Sequence, residues 1–557
     1  MRNLLSHSHS HPIGLLFVAP LVAAFACSGS GPGQVKEPPV LHVTSPARSL
    51  VQGQAGALTV SGTAEPGPDG EAITHVVVNG VEATLGADGA FTASLDLAEG
   101  ETLIQTVAKD AGGQSATDTR AVQAGQLQPV GSNIQSAVAA ALSADAFTKL
   151  SAAAGPIIKG INIGALIAPL QPMLSVGSSS TGAQLFVDNV KFSDVKIGLT
   201  PVQGGLSFSA EIDRLDVPAH ASFSVIGLGG TESLEVTADK IVVTGTLQVK
   251  PAGMSGFSTK LLNPMVHLTN FVLHAGSIPD EIVKLLNLQS TIQTIIAKVA
   301  ELFMGPLVNQ ALGALAGPQT LPVLGHQMTM QVAPSAVSFT ADGGLIEMNM
   351  KALLAGSETS PGFIFTANGS PAMDPTFGFQ LGLADDFANE MLAELTAVGA
   401  LNLSVPQNVG VFDTVQIQMT LPPMISADAV DGQGNGPMRL MLGDMLATFT
   451  RGGTPVGKAA INAKVDLKIA PGAGSGSVAL QLGTPEIHVD TLDDIPNTTG
   501  LSGPDLANAT AVGLGAQIDA ISQLLVAIPV PSIAGLTFRN LSLAGSDGYV
   551  LVSGQLQ

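Results

Sequence analysis

A chain of 557 residues is long enough for three or four domains, each with its own hydrophobic core. Charged residues make up only 12% of it and the mean hydropathy is +0.39. This composition argues against a disordered chain and provides more apolar side chains than an ordinary core needs. The net charge of −21, the absence of Trp and the single Tyr argue against a nucleic-acid partner, which requires a basic surface and usually stacking aromatic rings.

The N-terminal residues resemble a bacterial lipoprotein signal. Arg2 is followed by the apolar run Ile13–Ala26, which is too short to span a bilayer and ends directly before Cys27. We therefore predict a signal peptide over residues 1–26 and lipidation of Cys27. The lipid would attach the protein to the bacterial outer membrane, on its periplasmic or surface face. Ala24 stands where such signals usually carry Leu, so a plain secretory signal and a secreted protein are the alternative. Because Cys27 is the only cysteine, the chain has no intrachain disulfide.

Residues 27–39 are rich in Gly, Ser and Pro, a composition typical of a flexible tether. Over residues 40–126, short segments of alternating hydrophobicity are separated by turn signals. Asn79-Gly80 and Asp88-Gly89 each predict a two-residue hairpin turn, and the whole pattern indicates an all-β sandwich. The stretch VVVNGVEATLGADGAFTASLDLAEGETLIQTVAKDAGGQ resembles bacterial immunoglobulin-like modules, most of which serve as spacers or adhesive units.

The segment beyond the sandwich has apolar residues at roughly helical spacing. They predict a helix over Asn133–Ala154, with Ile134, Val138 and Leu142 close to one face. The spacing is imperfect after Leu142, because the next apolar residue on that face is Phe147, five residues further on instead of three or four. We expect this face to point into the domain that follows.

Long alternating segments come next, at Gly204–Val217, Glu232–Lys250 and Asn263–Gly276. In the first of them, Leu206 and Phe208 point to one side while serines and acidic residues point to the other. One apolar and one polar face are typical of antiparallel strands with a single wet face. We therefore predict a large curved antiparallel sheet.

The segment Glu281–Leu312 is nearly as apolar as a membrane span. It predicts a helix about 45 Å long at 1.5 Å per residue, with a broad apolar stripe that includes Ile292, Ile295, Ile296, Val299 and Phe303. A transmembrane helix is the alternative, but polar residues crowd the middle of the segment and make insertion into a bilayer unfavourable.

A similar series of elements recurs in the C-terminal part. Phe377–Val405 predicts a strand, a helix and a second strand, with Asp385 or Asp386 at the start of the helix as its cap. Leu392 and Leu395 are apolar positions of this helix.

The last predicted helix, Gly503–Ile528, carries Ile521, Leu524 and Leu525 and leads through prolines into a pair of strands. Two successive units of helix, long strands and long helix suggest an internal duplication.

From about Asn133 to its end, the chain resembles the tubular lipid-binding proteins, the superfamily of bactericidal/permeability-increasing protein, lipopolysaccharide-binding protein and cholesteryl ester transfer protein. Three stretches carry the resemblance. They are NQALGALAGPQTLPVLGHQMTMQVAPSAVSF, which ends the first half, FQLGLADDFANEMLAELTAVGALNLSV, which opens the second, and the closing AIPVPSIAGLTFRNLSLAGSDGYVLVSGQL.

The resemblance implies an α+β architecture of two consecutive barrel-like domains, residues 127–355 and 356–557, joined by a central sheet. In each, a long helix would be wrapped by a highly twisted antiparallel sheet, with acyl chains between them. Two departures limit what carries over. The chain lacks the disulfide that mammalian members often have in the first half, and it is acidic where members that engage lipopolysaccharide are basic. Lipid enclosure is therefore expected, but endotoxin binding is not.

We thus expect a non-enzymatic envelope lipoprotein that binds, or binds and transfers, a phospholipid or other acyl lipid, with no cofactor or metal. The expected lipid-binding residues are Ile134, Val138, Leu142, Leu206, Phe208, Ile292, Ile295, Ile296, Val299, Phe303, Leu392, Leu395, Ile521, Leu524 and Leu525. No metal-ligand spacing or catalytic motif occurs in a fitting context. A structural or adhesive envelope protein with a solid β core is the alternative, and a pore-forming protein is a third hypothesis.

Overall fold

The computed structural model describes residues 37–160, 162–178, 181–225, 228–274, 276, 278, 282, 291, 293–302, 317–366, 371, 373–406, 411–427, 438–471, 477–493, 495–499, 505–506, 528–529, 538–546 and 548–556. Strands predominate among them and helices are few. Within these ranges, none of the helices combines the length and the apolar character that a bilayer span requires. The predicted signal peptide and Cys27 lie outside the described residues.

The N-terminal domain is a β-sandwich, as the alternating sequence predicted. One sheet contains β1 (Val40–Ser45), β3 (Gly56–Glu65), β6 (Thr84–Leu85) and β7 (Ala90–Leu97), in the order β1-β3-β7-β6. The other contains β2 (Leu50–Gln52), β4 (Ile73–Val78), β5 (Val81–Glu82), β8 (Gly100–Asp110) and β9 (Ser115–Ala124), in the order β2-β9-β8-β4-β5. Val60, Val76, Phe91 and Ile104 fill the core between the sheets.

One of the two predicted hairpin turns is confirmed. Asn79 and Gly80 have φ of 45° and 82° and join β4 to β5, as a two-residue turn of this type requires. The turn predicted at Asp88-Gly89 is wrong, because the loop spans residues 86–89 and is closed by the Gly86 amide donating to the Ala90 carbonyl at 2.7 Å. Gly89 alone supplies a positive φ there, of 79°.

A short ladder links the sandwich to the rest of the chain. β10 (Gln126–Gln128) pairs with β22 (Phe363–Phe365). The central sheet follows, with strands β11 (Ile134–Ser143), β19 (Gly317–Val323), β20 (His326–Phe339), β21 (Gly343–Leu354), β23 (Phe379–Ala384), β32 (Phe538–Ser546) and β33 (Tyr549–Leu556). Their order is β19-β20-β21-β11-β23-β33-β32. Strands of the first half, residues 127–355, and of the second half, residues 356–557, therefore share one sheet.

The helix predicted over Asn133–Ala154 is wrong in its first part. Residues Ile134–Ser143 form β11, and α1 occupies Ala144–Lys159, followed by the short α2 (Ile163–Ile167). β11 lies between β21 and β23, and nearly all of its residues are buried. A strand covered on both faces has no alternation, so its run of alanines and aliphatic residues matched a helical period without forming a helix.

The first half contains a seven-stranded sheet dominated by two very long strands. Its members are β12 (Leu174–Gly177), β13 (Thr181–Val187), β14 (Asp194–Val202), β15 (Gly205–Val225), β16 (Leu228–Pro251), β17 (Phe257–Thr269) and β18 (Val272–His274). β15 and β16 have 21 and 24 residues, against about five or six for a usual strand. Because strands twist, a hairpin of this length forms a curled surface.

The long helix predicted over Glu281–Leu312 is described in part. Residues 282, 291 and 293–302 are all helical, and the continuous stretch 293–302 is named α3 here. Val299 and Ala300 of α3 are buried in the same core cluster as the long strands. Ile292 and Phe303 lie outside the described residues.

The second half contains α4 (Asp385–Ala397) and an eight-stranded sheet. The strands are β24 (Leu403–Pro406), β25 (Thr414–Gln418), β26 (Met424–Ser426), β27 (Met438–Arg451), β28 (Thr454–Pro471), β29 (Ser477–Leu482), β30 (Glu486–Leu492) and β31 (Ile528–Pro529). Phe412 and Phe449 pack edge to face in its core, 5.1 Å apart. Of the helix predicted over Gly503–Ile528, residues 505–506 are described as helical, and Ile521, Leu524 and Leu525 lie outside the described residues.

Candidate functional site

The concave side of the β15–β16 hairpin carries a continuous apolar row. On β15 the inward positions are even-numbered up to Ile212 and odd-numbered from Leu215 onward. Arg214 stands between them with φ of 51°, and on β16 the matching shift falls between Ala238 and Ile241. The two strands change phase at the same place, because Leu215 pairs with Ala238. The hairpin can therefore bend without turning its apolar side chains to solvent.

An apolar cavity of about 80 Å³ lies against this row. Two short strands form one wall, with Leu185 and Val187 on β13 and Val195 and Ile197 on β14; Val190 and Phe192, on the connection between these strands, complete it. Every side chain that lines the cavity is aliphatic or phenylalanine. A buried water molecule needs two to four polar partners, so this lining suits a hydrocarbon group better than ordered water.

The apolar wall of the cavity is long. Its lining positions on β15 run from Phe208 to Ala219, which corresponds to about 36 Å of strand at roughly 3.3 Å per residue. The cavity with this wall is named the slot here. Its volume of about 80 Å³ is about half that of a cavity that holds one benzene, so it accommodates a short stretch of a single unbranched chain.

Helix α3 closes the slot opposite the sheet. Ile295, Ile296, Val299 and Ala300 face the cavity, and they recur at helical spacing. The Gln293 side-chain amide donates to the Val266 carbonyl of β17 at 3.3 Å, which fixes the start of α3 against the sheet.

Four of the predicted lipid-binding residues line the cavity: Phe208, Ile295, Ile296 and Val299. Leu206 is buried in the same core without lining the cavity.

Five others do not line the cavity. Ile134, Val138 and Leu142 are in the central sheet on β11, within the same core cluster. Leu395 belongs to a separate cluster with Met328, Ala352 and Leu354, and Leu392 is only half-buried on α4.

The sequence reasoning missed the residues of β13 and β14. The signal was present, because Val195, Ile197 and Leu199 alternate with Lys196, Gly198 and Thr200. The prediction did not extend to these strands, although each is longer than a usual strand. Ile158 of α1 also lines the cavity, on the part of the helix beyond the predicted end.

The helix α4 has a buried face that is polar. Its N-cap is Ala384, so neither Asp385 nor Asp386 caps the helix as predicted. Both carboxylates instead accept hydrogen bonds from other segments, Asp385 from the Ala427 amide at 3.1 Å and Asp386 from the Thr366 amide at 2.9 Å. Asn389, Glu390 and Glu394 are buried on the same face.

Burial shifts the acidity of these groups. Desolvation raises the pKa of Asp386 to about 7 and that of Glu390 to about 8, and it also raises the pKa of Glu394. Neighbouring carboxylates add to the first two shifts, Asp385 acting on Asp386 and Glu394 acting on Glu390.

Comparison with known proteins locates one family match. Residues 39–126 match the family model described as glucodextranase, domain B, which is consistent with an immunoglobulin-like sandwich. No curated protein sequence matches the chain significantly.

Two solved structures align with about three quarters of the chain, but their TM-scores are low. Lipopolysaccharide binding protein shares 11% identity, covers 76% of this chain and 99% of its own, and superposes with a TM-score of 0.35. P47 from Clostridium botulinum A2 shares 9% identity, covers 75% of this chain and 96% of its own, and superposes with a TM-score of 0.26.

Proposed function

We propose that the first half of this protein binds an acyl lipid, with a hydrocarbon tail held in the slot between α3 and the β15–β16 hairpin. The observation that supports it is the uniformly apolar lining of the cavity. Removing each methylene from water is worth about 0.8 kcal/mol. A cavity of about 80 Å³ holds roughly three methylenes, since one of about 150 Å³ holds a benzene. The enclosed segment of the tail would thus contribute roughly 2.4 kcal/mol before the cost of ordering the ligand.

The proposed role is carriage or storage of lipid without chemistry on it. A purely hydrocarbon lining offers no acid, base or nucleophile at the tail, so binding depends on burial alone. Neither a cofactor nor a metal is required for that role.

The test is native mass spectrometry of the full chain, purified without detergent or delipidation. Wild-type protein should carry an adduct with the mass of an acyl lipid. Ala210→Phe places a ring in the slot, because Ala210 lines it, and should reduce retained lipid about tenfold or more, equivalent to about 1.4 kcal/mol. Ser207→Phe is the matched control, since Ser207 is exposed on the outer face of the same strand.

Uptake of a fluorescent fatty acid by the same three proteins, with far-UV circular dichroism to verify folding, provides a second readout. Wild-type protein that carries and takes up no lipid would refute the proposal. Equal lipid retention by Ala210→Phe and Ser207→Phe would show that the lipid sits elsewhere.

We further propose that Cys27 carries the lipid anchor of a bacterial envelope protein. The support is the sequence before it, an apolar run that ends in small residues. In a Gram-negative host, wild-type protein should fractionate with membranes and Cys27→Ser should not. Identical fractionation of the two would favour the secreted alternative.

A further inference from the structure

The sandwich and the second half meet through buried polar contacts. Gln123 of β9 donates from its side-chain amide to the Pro422 carbonyl at 2.6 Å and to Oε2 of Glu101 at 2.9 Å. The other carboxyl oxygen of Glu101, Oε1, is buried and has no hydrogen-bond partner. The Gln123 amide therefore joins the sandwich to the second half, and Glu101, which supports that amide, has a hydrogen bond at only one of its two carboxyl oxygens.

Helix α4 holds both strands of the ladder that links the sandwich to the rest of the chain. Glu390 accepts a hydrogen bond from the Gly131 amide at 2.7 Å, three residues beyond the end of β10. Asp386 accepts from the Thr366 amide, directly after β22. Because β10 pairs with β22, these two acids fix the linker from both sides.

The same face of α4 holds the central sheet and the second-half sheet. Asn389 exchanges two hydrogen bonds with the backbone of Ile425 in β26, at 2.7 and 3.0 Å. Glu394 accepts from the Leu354 amide at 3.0 Å, where β21 ends. The polar face of one helix thus contacts three parts of the molecule.

Two further carboxyl oxygens on this face, Oε2 of Glu390 and Oε2 of Glu394, are buried without a hydrogen-bond partner. The charged groups that act on these acids and on Glu101 are themselves acidic: Glu99, Glu358, Asp385, Asp386, Glu394 and Asp444. The carboxylates of Glu347, Asp386 and Asp385 also act on the Tyr549 hydroxyl. An ionised carboxylate in such a place has an unsatisfied charge and repulsive neighbours, whereas a neutral carboxyl has neither.

We propose that Asp386 and Glu390, named here the junction acids, form a proton-dependent clamp on the linker. With the junction acids neutral, the linker ladder stays fixed to α4. When they ionise, the ladder is released and the sandwich pivots about the Arg48 ion pairs, which join it to Asp444 and Asp490 and persist at high pH. This inference does not depend on whether the cavity binds lipid.

The direction of the pH effect follows from burial. It raises the pKa of Asp386 to about 7 and that of Glu390 to about 8. The clamp is therefore complete at acidic pH and weakens as the pH rises through about 7 to 8.

Hydrogen–deuterium exchange of the full chain tests the clamp, with rates corrected for their intrinsic pH dependence. Between pH values of about 6 and 9, protection of residues 126–133 and 363–366 should fall about tenfold or more, while the sandwich core and the β15–β16 hairpin keep theirs. Glu390→Gln, a neutral substitute, should retain linker protection at about pH 9. Asp386→Asn is the second variant, and Glu235→Gln, at an exposed position of β16, is the control that should follow the wild type.

Linker protection that is the same at all pH values would overturn the proposal, and so would Glu390→Gln and Asp386→Asn both behaving like Glu235→Gln. A loss of protection that is equally large throughout the chain would overturn it as well, since the release would then not be confined to the linker.

Discussion

Arg48, on the loop between β1 and β2, donates a hydrogen bond to the carboxylate of Asp444 at 3.0 Å, across the boundary between the sandwich and the second-half sheet. The Asp444 side chain is 1% exposed and also accepts from the backbone amides of Ser49 and Ala121, at 2.6 and 3.1 Å. The sandwich is therefore docked on the second half, which argues against a role as a freely moving spacer.

Asp444→Asn should weaken this docking. Asparagine keeps the shape and tolerates the positive φ of 43° at this position, but it removes the charge that faces the guanidinium. Hydrogen bonds to charged groups are worth about 1.5–3 kcal/mol each, and we expect a loss of that order. Differential scanning calorimetry should show a lower unfolding midpoint for the transition that includes the sandwich.

Lys149→Ala is the control for that loss. Lys149 pairs with Asp145 on the surface of α1 at 2.8 Å, and exposed pairs at this spacing contribute only about 0.3–0.5 kcal/mol. Equal effects of the two substitutions would mean that the Arg48 contact contributes no more than a surface ion pair.

Gly443→Ala should disturb the same boundary by a steric route. A Cβ at this position would overlap Oε1 of Glu101 and Cβ of Ala121 on the facing sandwich strands. Overpacking of this kind costs about 1–3 kcal/mol, and thermal unfolding should register it. Gly53→Ala provides the comparison, because a Cβ there meets no heavy atom within 4 Å and no change is expected.

The sequence predicted those strands that have one solvent-exposed face and one buried face. β15 and β16 alternate apolar and polar residues, so their strands and the inward direction of Phe208 follow from the pattern. The prediction of a helix where β11 lies is wrong for the opposite reason, since a strand covered on both faces shows no alternation of apolar and polar residues. The three lipid-binding residues predicted on that helix therefore lie on a strand of the central sheet and do not line the cavity.

Three of the predicted lipid-binding residues line the cavity for a related reason. They are Ile295, Ile296 and Val299, and a long apolar stripe on a helix needs a covering surface. Leu392 and Leu395 lie away from the cavity on α4, which buries Glu390 and Glu394 although acids on a helix usually face solvent. Only tertiary contacts with backbone amides of distant segments reveal such an inversion.

Stability should decrease from mildly acidic to mildly basic pH. Burial raises the pKa of Asp490 to about 6, that of Glu101 to about 8 and that of Glu390 to about 8, so the folded chain holds protons that the unfolded chain releases near its ordinary values. Their contribution to stability is fully present below about pH 4 and is lost as the pH rises through the folded-state values.

The melting temperature, followed by differential scanning fluorimetry in buffers of equal ionic strength, should fall between pH values of about 5 and 8.5. Glu390→Gln should reduce this slope by removing one of the titrating groups. A melting temperature that rises over the interval would contradict the prediction.

The single tyrosine connects the last strand of the chain to the bulge in β11. The Tyr549 hydroxyl donates to the Ser136 carbonyl at 3.0 Å, and Ser136 has φ of 49° where the β11–β21 register shifts. Tyr549→Phe leaves that buried carbonyl without its donor while it preserves the ring packing, so we expect a loss of about 0.5–1.5 kcal/mol. Urea unfolding followed by circular dichroism should show a lower midpoint with an unchanged slope, and a midpoint equal to that of the wild type would show that water replaces the hydroxyl at no cost.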